Sequence, residues 1–294
     1  MLIQRRSTQF HGLSVDVEDW FHILDCHHTP DVSDWDSLEV RVTHNTAFVL
    51  DLLDRYCLKA TFFVLGWAAA RYPDLVRQIV DRGHEIGSHG HSHRMVSSLT
   101  PDEFARDLDA SLSAIERAAN QDVRAYRAPG FSITPDEFWA FDILASRGIR
   151  LDSSLFLATH AHGGLALRRK RPFEILLQSG RKITEVPIVP CSIWNLRIPF
   201  SGGGYLRLLP TAIVKHLFQL AEQTKSTAVA YLHPRDVDAN QPRMMLSPTR
   251  YFKHYVGLKT FPNKLETLLT TFQFNSLGTV AASTKFDKPL LIHY

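Results

Sequence analysis

Short apolar runs alternate with longer amphipathic segments along most of the chain. Runs such as "HGLSVDV" (11–17) and "KATFFVLG" (59–66) have the length of strands and contain β-branched and aromatic residues. The segment 38–56 instead repeats its apolar residues near the helical period. The pattern therefore predicts strands and helices in alternation from the first part of the chain onward.

Helix boundary signals support this interpretation. One helix is predicted to begin at Pro73 and to end at Gly83, because proline fits the first turn of a helix and glycine follows its end. Thr100 and Glu103 have the spacing of a capping box, which predicts a second helix N-terminus. The same pattern begins again at Thr134.

The rest of the chain continues the alternation of strands and helices. In order, the sequence predicts strands at 84–90, 123–131 and 149–155, a less regular region at 156–204, a helix at 211–224, a strand at 227–234, and helices near 247–256 and 262–272. This alternation predicts an α/β fold with a parallel sheet covered by helices. Since no Pro-, Gly- or Ser-rich linker interrupts it, we expect a single barrel-like domain over 1–294, with its core at about 12–238 and a C-terminal extension at about 239–294.

Composition limits the classes of binding partner that the protein is expected to have. The 294 residues are 45% apolar and carry a net charge of +3, and no run of five or six Lys or Arg occurs, so a nucleic acid is not an expected partner. The basic cluster "LRRKRPF" (167–173) is interpreted as a solvated loop or as a contact for an anionic glycan or phosphate carrier. The three cysteines, Cys26, Cys57 and Cys191, are odd in number and widely spaced, which fits a reducing compartment.

The N-terminal sequence lacks the apolar core of a signal peptide. The clearly apolar stretches are also shorter than the roughly 18 residues that span a bilayer. We therefore expect no transmembrane segment and a cytoplasmic location, with a periplasmic or membrane-peripheral location as the alternative.

Polar residues close the predicted strands. Asp16, Glu18 and Asp19 end the first strand; His89 and His93 end the third; Arg127, Asp152 and His233 end later ones. In a parallel barrel all strand carboxyl ends open on one face, which holds the active site. These side chains are therefore expected to converge.

The stretch "GHEIGSHGHSH" (83–93) contains four histidines. His89 and His93 are four residues apart, and on a helical turn this spacing places both imidazoles on one side, as in other metal-binding pairs. A carboxylate from the first strand then completes a two-His, one-carboxylate metal site. His84 and His91 are predicted to be neighbours rather than ligands. The alternative is a loop that its histidines and serines merely cap.

The acids of "SVDVEDW" (14–20) require a cation nearby. Strand periodicity places Asp16 and Glu18 on one face, and a turn after Glu18 brings Asp19 inward as well. Carboxylates this close do not all ionise freely alone, and a divalent metal removes that cost. One acid is then a ligand and another a general base. The alternative is that they cap helices and line a solvated loop.

Taken together, these motifs resemble the NodB-homology polysaccharide deacetylases, carbohydrate esterase family 4. The matching blocks occur in family order: "LSVDVEDWF", "ATFFVLGW", "GHEIGSHGHSH", "YRAPGFS", "LDSSLF" and "YLHPRDVD". The residues within these blocks are similar to those of the bacterial branch associated with exopolysaccharide and exosortase loci. The resemblance implies a distorted (β/α) barrel of about seven parallel strands with a C-terminal helical extension.

The resemblance also implies residue roles. It makes Asp16 the base, His89 and His93 metal ligands, Arg127 the residue that orients the base, Asp152 part of the active-site wall and His233 the general acid. The acidic ligand is either Glu18, which an ungapped comparison favours, or Asp19, which its chemical type favours. Arg235 departs from the family, whose members usually carry an aromatic residue there.

The implied mechanism is hydrolysis of an acetamide. A divalent metal, first Zn²⁺ and otherwise Co²⁺ or Ni²⁺, activates water and carbonyl, and a backbone N–H near Gly130 helps to stabilise the oxyanion. Trp20 is the preferred candidate to line the cleft, ahead of Trp67 and Trp194. The glycine-rich "SGGGYLR" (201–207) is interpreted as a turn or as a loop that contacts sugar or carrier through Tyr205 and Arg207.

The implied function is metal-dependent removal of N-acetyl groups from sugars of a bacterial surface polysaccharide or its lipid-linked oligosaccharide precursor. Two alternatives stay open: a cyclic imide or ureide amidohydrolase of the same superfamily, and a catalytically inactive glycan-binding protein. Asp16, His89 and His93 are all present, which favours the deacetylase.

Overall fold

A mostly parallel β-sheet forms the centre of the computed structural model, which describes residues 10–24, 29–159, 162–193, 196–292 and 294. The strands are β1 (His11–Val17), β2 (Thr61–Val64), β3 (Glu85–Ser88), β4 (Ala125–Tyr126), β5 (Leu151–Asp152), β6 (Phe173–Leu176), β7 (Lys182–Glu185), β8 (Cys191–Ile193), β9 (Leu196–Ile198), β10 (Val229–Leu232), β11 (Phe274–Asn275) and β12 (Leu290–Leu291).

The strand order confirms the α/β fold. The sheet runs β10-β1-β2-β3-β4-β5-β7-β6-β12, with β11 beside β1, while β8 and β9 form a separate hairpin. Neighbours from β10 to β7 are all parallel, which makes seven parallel strands in a row. β6 pairs antiparallel with β7 and β12 pairs parallel with β6, so both run opposite to these seven strands. The seven strands agree with the distorted barrel that the family resemblance implies.

Helices connect these strands. They are α1 (Val42–Arg55), α2 (Gly66–Arg71), α3 (Pro73–Asp81), α4 (Pro101–Ala119), α5 (Trp139–Ser146), α6 (Gly203–Leu208), α7 (Thr211–Gln223), α8 (Pro248–Tyr255), α9 (Phe261–Thr271) and α10 (Leu277–Ala282). The capping box of Thr100 and Glu103 is present, as predicted, at the start of α4. Within the described ranges, no helix is both long and apolar enough to cross a bilayer.

β1 lies between β10 and β2 and is buried along its whole length. Every residue of β1 is buried, including its polar ones, as expected for a parallel strand covered by other elements on both sides. Leu13, Val15 and Val17 belong to the main hydrophobic core. The strand therefore holds the acidic residues at its carboxyl end in a rigid setting.

Two segments differ from their predictions. The C-terminal extension is not purely helical, because it returns β11 to β1 and β12 to β6. The segment 201–207, predicted as a turn or loop, forms most of α6 instead. In each case the tertiary contacts of the segment decide its structure, whereas its local pattern was too short to predict it. The single-domain boundaries stay a prediction.

His84 is structural and does not act as a ligand. Its Nδ1 accepts a hydrogen bond from the backbone N–H of Ala60 at 3.3 Å, and its ring packs against Phe62. Burial, with a smaller effect from Lys59, lowers the pKa of His84 from 6.5 to about 4. As the pH falls below 6.5, His84 therefore becomes protonated in the unfolded chain but stays neutral in the folded chain until the pH nears 4.

We predict that His84 makes the protein less stable between pH 6.5 and 4. The variant His84→Asn keeps an acceptor near the Nδ1 position but does not titrate, so its free energy of unfolding should fall less steeply over this range. Urea denaturation at pH 7 and at pH 4.5 measures both slopes. Equal slopes for wild type and variant would contradict the assignment.

Candidate metal centre and active site

The carboxyl ends of the parallel strands surround a cavity of about 210 Å³. Gly130 lines it, and so do five of the predicted titratable site residues: Asp16, Glu18, His89, His93 and His233. They come from the ends of β1, β3 and β10, which are neighbours or next neighbours in the sheet. The expected convergence of polar strand ends on one face therefore occurs.

Glu18, His89 and His93 form a cluster suited to a metal ion. Their ligand atoms all lie within 4.8 Å of one another, and all three residues are buried. Glu18 Oε1 is 3.1 Å from His89 Nε2 and 2.9 Å from His93 Nε2. The His93 contact lacks hydrogen-bond geometry despite its length, and among the described residues His93 Nε2 has no hydrogen-bond partner. Buried ligand atoms that face one another in this way fit a divalent cation.

The tautomer of His89 also fits a ligand. Its Nδ1 lies 2.8 Å from the backbone oxygen of Arg127. A carbonyl oxygen can only accept, so Nδ1 carries the proton and Nε2 presents its lone pair to the cluster. Metal-bound histidines are commonly held by such a hydrogen bond on the other ring nitrogen.

The structure separates the two candidate acidic ligands. Glu18 belongs to the cluster, whereas the carboxylate of Asp19 points to the start of α1. Asp19 accepts hydrogen bonds from the backbone N–H groups of Trp20 at 2.8 Å and of Arg41 and Val42 at 2.9 Å each. A carboxylate that satisfies the free amides of a helix N-terminus is a capping group. The ungapped comparison is therefore the one that agrees with the geometry.

The electrostatics keep Glu18 ionised. Burial alone raises the pKa of Glu18, but His93, His233 and Arg235 outweigh it and hold that pKa well below its ordinary value. For His89, burial lowers the pKa, while the nearby carboxylates of Asp16 and Glu18 raise it above normal. The cluster thus supplies the anionic ligand that a divalent cation requires.

The segment between the two histidines is a loop, not the helical turn that the spacing predicted. Gly90 and His93 both adopt left-handed backbone conformations, with φ of 75° and 53°. Asp107, on α4, accepts hydrogen bonds from the two backbone N–H groups between them, at 2.7 and 3.2 Å. The imidazoles converge because the loop is folded back on itself, and a non-glycine residue at positive φ is common at functional sites.

Gly66 at the start of α2 holds the same loop. Its N–H donates to the oxygen of Gly90 at 2.9 Å, and the N–H of Trp67 donates to that of His91 at 3.2 Å. A Cβ at Gly66 would lie 2.6 Å from both His91 Nδ1 and the Cα of Ser111. Only glycine fits this approach, so "LGW" is a support for the metal centre. His91 itself lies outside the cluster, as predicted.

Arg127 anchors the predicted base. Its fully buried guanidinium donates from one nitrogen, NH1, to Asp16 Oδ1 at 2.7 Å and to Ser14 Oγ at 2.8 Å. Its other nitrogens donate to the backbone and side-chain oxygens of Ser153 at 3.1 and 2.8 Å. Arg127 thus holds Asp16 through one nitrogen, and its remaining donors fix the guanidinium itself.

His233 is held by a carboxylate that the sequence reasoning did not single out. Its Nδ1 lies 3.2 Å from Asp236 Oδ2, and its backbone N–H donates to the same oxygen at 2.9 Å. Asp236 is buried and pairs with Arg207, whose Nε is 2.9 Å from Oδ1. A Cβ at Gly203 would lie 2.1 Å from Asp236, which explains a glycine there. The signal for Asp236 was its three-residue spacing from His233.

The role expected for Arg207 as a sugar or carrier contact is wrong. Arg207 is buried, and it donates to the backbone oxygens of His254 at 2.7 Å and Val256 at 2.9 Å. These carbonyls end α8, so Arg207 links α8 to the support of His233. Among the described residues, Tyr205 does not line the cavity either.

Three further predicted residues are placed as follows. Gly130 lines the cavity at a φ of 64°, where a Cβ would lie 2.8 Å from a Leu24 methyl group. Asp152 does not line it; Asp152 accepts from the backbone N–H and hydroxyl of Ser154 at 2.8 Å, deep in the core. Trp20 lies outside as well, with its indole N–H donating to the oxygen of Glu39 at 2.8 Å.

The other tryptophans and the basic cluster are not part of this site. Trp67 packs edge-on against Trp35 at 5.2 Å, and Trp194, like Cys26, lies outside the described residues. The segment 168–170 lines a separate cavity of about 510 Å³ beside Ala228, which precedes β10, whereas His233 follows that strand. This larger cavity is therefore at the opposite end of β10 from the candidate metal centre.

Comparison with known proteins agrees with this geometry. Residues 33–142 match the polysaccharide deacetylase family, and residues 153–282 match a domain of unknown function, DUF3473. The chain carries a polysaccharide deacetylase domain. The sequence prediction of this family is thereby confirmed, and the exosortase branch stays a prediction.

Individual relatives cover only part of the chain. It is 28% identical over 120 residues to a peptidoglycan-N-acetylglucosamine deacetylase of Bacillus cereus, which is 37% of this chain and 44% of that protein. It is 34% identical over 101 residues to a chitooligosaccharide deacetylase of a Bradyrhizobium species, covering 34% and 44%. The chain thus spans less than half the length of these curated relatives.

A solved structure resembles nearly the whole fold. The crystal structure from Mycobacterium smegmatis assigned to the polysaccharide deacetylases covers 96% of this chain and 92% of its own, with a TM-score of 0.61 and 18% identity. This likeness shows that the fold is shared. The polysaccharide deacetylase match contains His89, His93 and Arg127, whereas His233 and Arg207 lie in the DUF3473 match.

We predict that Glu18→Gln removes the bound metal and that Asp19→Asn does not. Glutamine is nearly isosteric with glutamate but lacks the ligand charge, while asparagine at 19 still offers an oxygen to the amides of α1. Metal per chain, measured by elemental analysis after dialysis against Zn²⁺ and buffer, distinguishes them. Loss of metal in Asp19→Asn, with a native circular dichroism spectrum, would reverse the ligand assignment.

Proposed function

We propose that this protein is a metal-dependent hydrolase that removes N-acetyl groups from N-acetylated sugars of a bacterial surface polysaccharide or its lipid-linked precursor. The observation that supports it is the meeting, in one cavity, of the Glu18–His89–His93 cluster, a carboxylate paired with a buried arginine, and an imidazole paired with a buried carboxylate. The names of the relatives supply the substrate class. The exact sugar and the metal, for which Zn²⁺ is our first proposal, belong to the proposal as well.

The chain's own residues divide the proton transfers. When bound, a divalent cation supplies Lewis acidity to the acetamide carbonyl and makes water easier to deprotonate. Asp16 accepts the proton of the attacking water, and Arg127 holds Asp16 in the orientation that this requires. A backbone N–H beside Gly130 stabilises the developing oxyanion.

His233 completes the reaction as the general acid. Its ring protonates the leaving nitrogen, and Asp236 stabilises the protonated imidazole and fixes its orientation. Asp16 Oδ and His233 Nε2 both lie near Glu18, since these three residues form a second group with ligand atoms within 4.8 Å of one another. A base and an acid within 4.8 Å of the same carboxylate fit the hydrolysis of a single amide bond.

The alternatives have less support. A cyclic imide or ureide amidohydrolase, or an inactive glycan-binding protein, has no need for an intact base, acid and ligand cluster. Each of these groups is buried or nearly buried and has a dedicated partner. Keeping several charged groups desolvated is costly unless they act together.

Two substitutions distinguish a loss of metal binding from a loss of catalysis. His89→Ala should lose metal and activity together, whereas Asp16→Asn should keep about one metal per chain and lose at least about 10²-fold in turnover. Acetate release from N-acetylglucosamine oligomers, with and without a chelator, measures activity, and elemental analysis measures metal. Acetate release that survives in Asp16→Asn, or that is unaffected by metal removal, would sink the proposed mechanism.

A further prediction concerns Asp236, which holds the proposed general acid His233. Asp236→Asn removes the carboxylate charge that holds the His233 ring, so turnover, measured by acetate release, should fall about 10-fold with metal content unchanged. Asp238→Asn is the matched control, because Asp238 contacts Asn45 and the N–H of Asn240 instead. An equal fall in turnover in both variants would count against a role for Asp236.

A further inference from the structure

Two arginines face the same cavity as the metal cluster. Arg235 follows β10 and Arg250 lies on α8, so they come from different parts of the chain. Arg235 is the residue that departs from the aromatic usual in the family. Nothing in the reaction proposed above requires either guanidinium.

The two guanidiniums are held by one wall of the cavity. Arg235 NH1 donates to the backbone oxygen of His22 at 3.2 Å, and Arg250 NH2 donates to that of Leu24 at 2.5 Å. These carbonyls lie two residues apart in one segment of the cavity wall, and both arginines line the same cavity. Each guanidinium is therefore anchored to that wall by a hydrogen bond.

Their charges are only partly compensated. Arg235 lies 3.5 Å from Glu18 Oε2, whose other oxygen belongs to the metal cluster. In the described part of the chain, Arg250 has no ion pair with a carboxylate. Among the described residues, the only other acid that lines the cavity, Asp16, is already paired with Arg127. With a divalent cation present, the described lining of the cavity therefore has an excess of positive charge.

The neighbouring histidine responds to this excess. His254 also lines the cavity, and burial together with Arg235, Arg207 and Arg250 lowers its pKa to about 3. It is thus a neutral ring at the edge of a cationic pocket. Arginine binds carboxylate and phosphate groups well because its planar donors match two oxygens at once.

We propose that Arg235 and Arg250 form an anion-binding subsite beside the metal centre, which selects N-acetylated sugars carrying a carboxylate or phosphate group on the same or the adjoining unit. The inference rests on the proposed function and narrows its substrate class. A carboxylate comes from a uronic acid unit of the glycan, and a phosphate from the reducing end of an activated or lipid-linked precursor. Both present the same oxygens to a guanidinium, and a neutral chitin-like chain presents neither.

Binding tests this subsite without relying on turnover. Titration calorimetry on the zinc-loaded full chain compares three ligands: a neutral N-acetylglucosamine dimer, a dimer of the same length that contains a uronic acid, and N-acetylglucosamine 1-phosphate. We expect at least one anionic ligand to bind about 10-fold tighter than the neutral dimer, and the preference to weaken as salt rises from 50 to 500 mM. Which anionic ligand binds more tightly distinguishes glycan from precursor.

Variants connect the preference to the two arginines. Arg250→Gln should abolish most of it while leaving the neutral dimer's affinity unchanged, and Arg235→Gln should act in the same direction. Lys253→Gln is the control, since Lys253 is an exposed cation on α8 that does not line the cavity. Metal content and circular dichroism confirm that each variant is folded and loaded.

Three results would overturn the subsite: no anionic ligand binding more tightly than the neutral dimer, a preference that Arg250→Gln leaves intact, or a loss equally large in Lys253→Gln. The proposed function is judged separately, by metal-dependent acetate release. An enzyme that deacetylates the neutral dimer without any anionic preference would keep the proposed function and reject the subsite. Tight anion binding without any acetate release would do the reverse.

Discussion

The buried guanidinium of Arg127 is the interaction on which the rest of the site depends. A fully buried cation is costly unless all its donors are used, and Arg127 uses them on the ends of β1 and β5. Its side chain fixes Asp16, while its backbone oxygen fixes the tautomer of His89. The proposed base and a proposed metal ligand are therefore both positioned by one residue.

The proposed general acid, His233, has a separate support, which comes from the second half of the chain. His233 depends on Asp236, Asp236 on Arg207, and Arg207 on the carbonyls that end α8. The glycines at 202 and 203 let this support approach, because a Cβ at either would collide with Tyr231 or Asp236. The segment that matches a domain of unknown function contains His233, the residues that hold it and part of the cavity wall.

Hydrophobic periodicity and helix caps were enough to predict the alternation of strands and helices, including the α4 capping box. The parallel topology then predicted that Asp16, His89, Arg127 and His233 converge at the strand ends. What could not be predicted depends on contacts between distant segments. Glu18 rather than Asp19 joins the histidine cluster because α1 begins where its free amides can engage Asp19. His89 and His93 meet through a loop that Asp107 shapes from another helix. Spacing alone predicted that these two imidazoles would meet, but it predicted a helical turn where the structure has a loop.

Arg235 connects the metal cluster to the choice of substrate. A cation 3.5 Å from Glu18 Oε2 opposes the charge of a metal held by the same carboxylate, so an aromatic residue at this position would favour metal binding more. The repulsion is relieved when an anion occupies the neighbouring space, because the anion attracts both the guanidinium and the metal. Coupling between two ligands is reciprocal: an anionic substrate that binds better to the metal-loaded protein must also strengthen metal binding. Arg235, in place of the family's aromatic residue, therefore weakens metal binding in the absence of substrate. An anionic substrate offsets this effect.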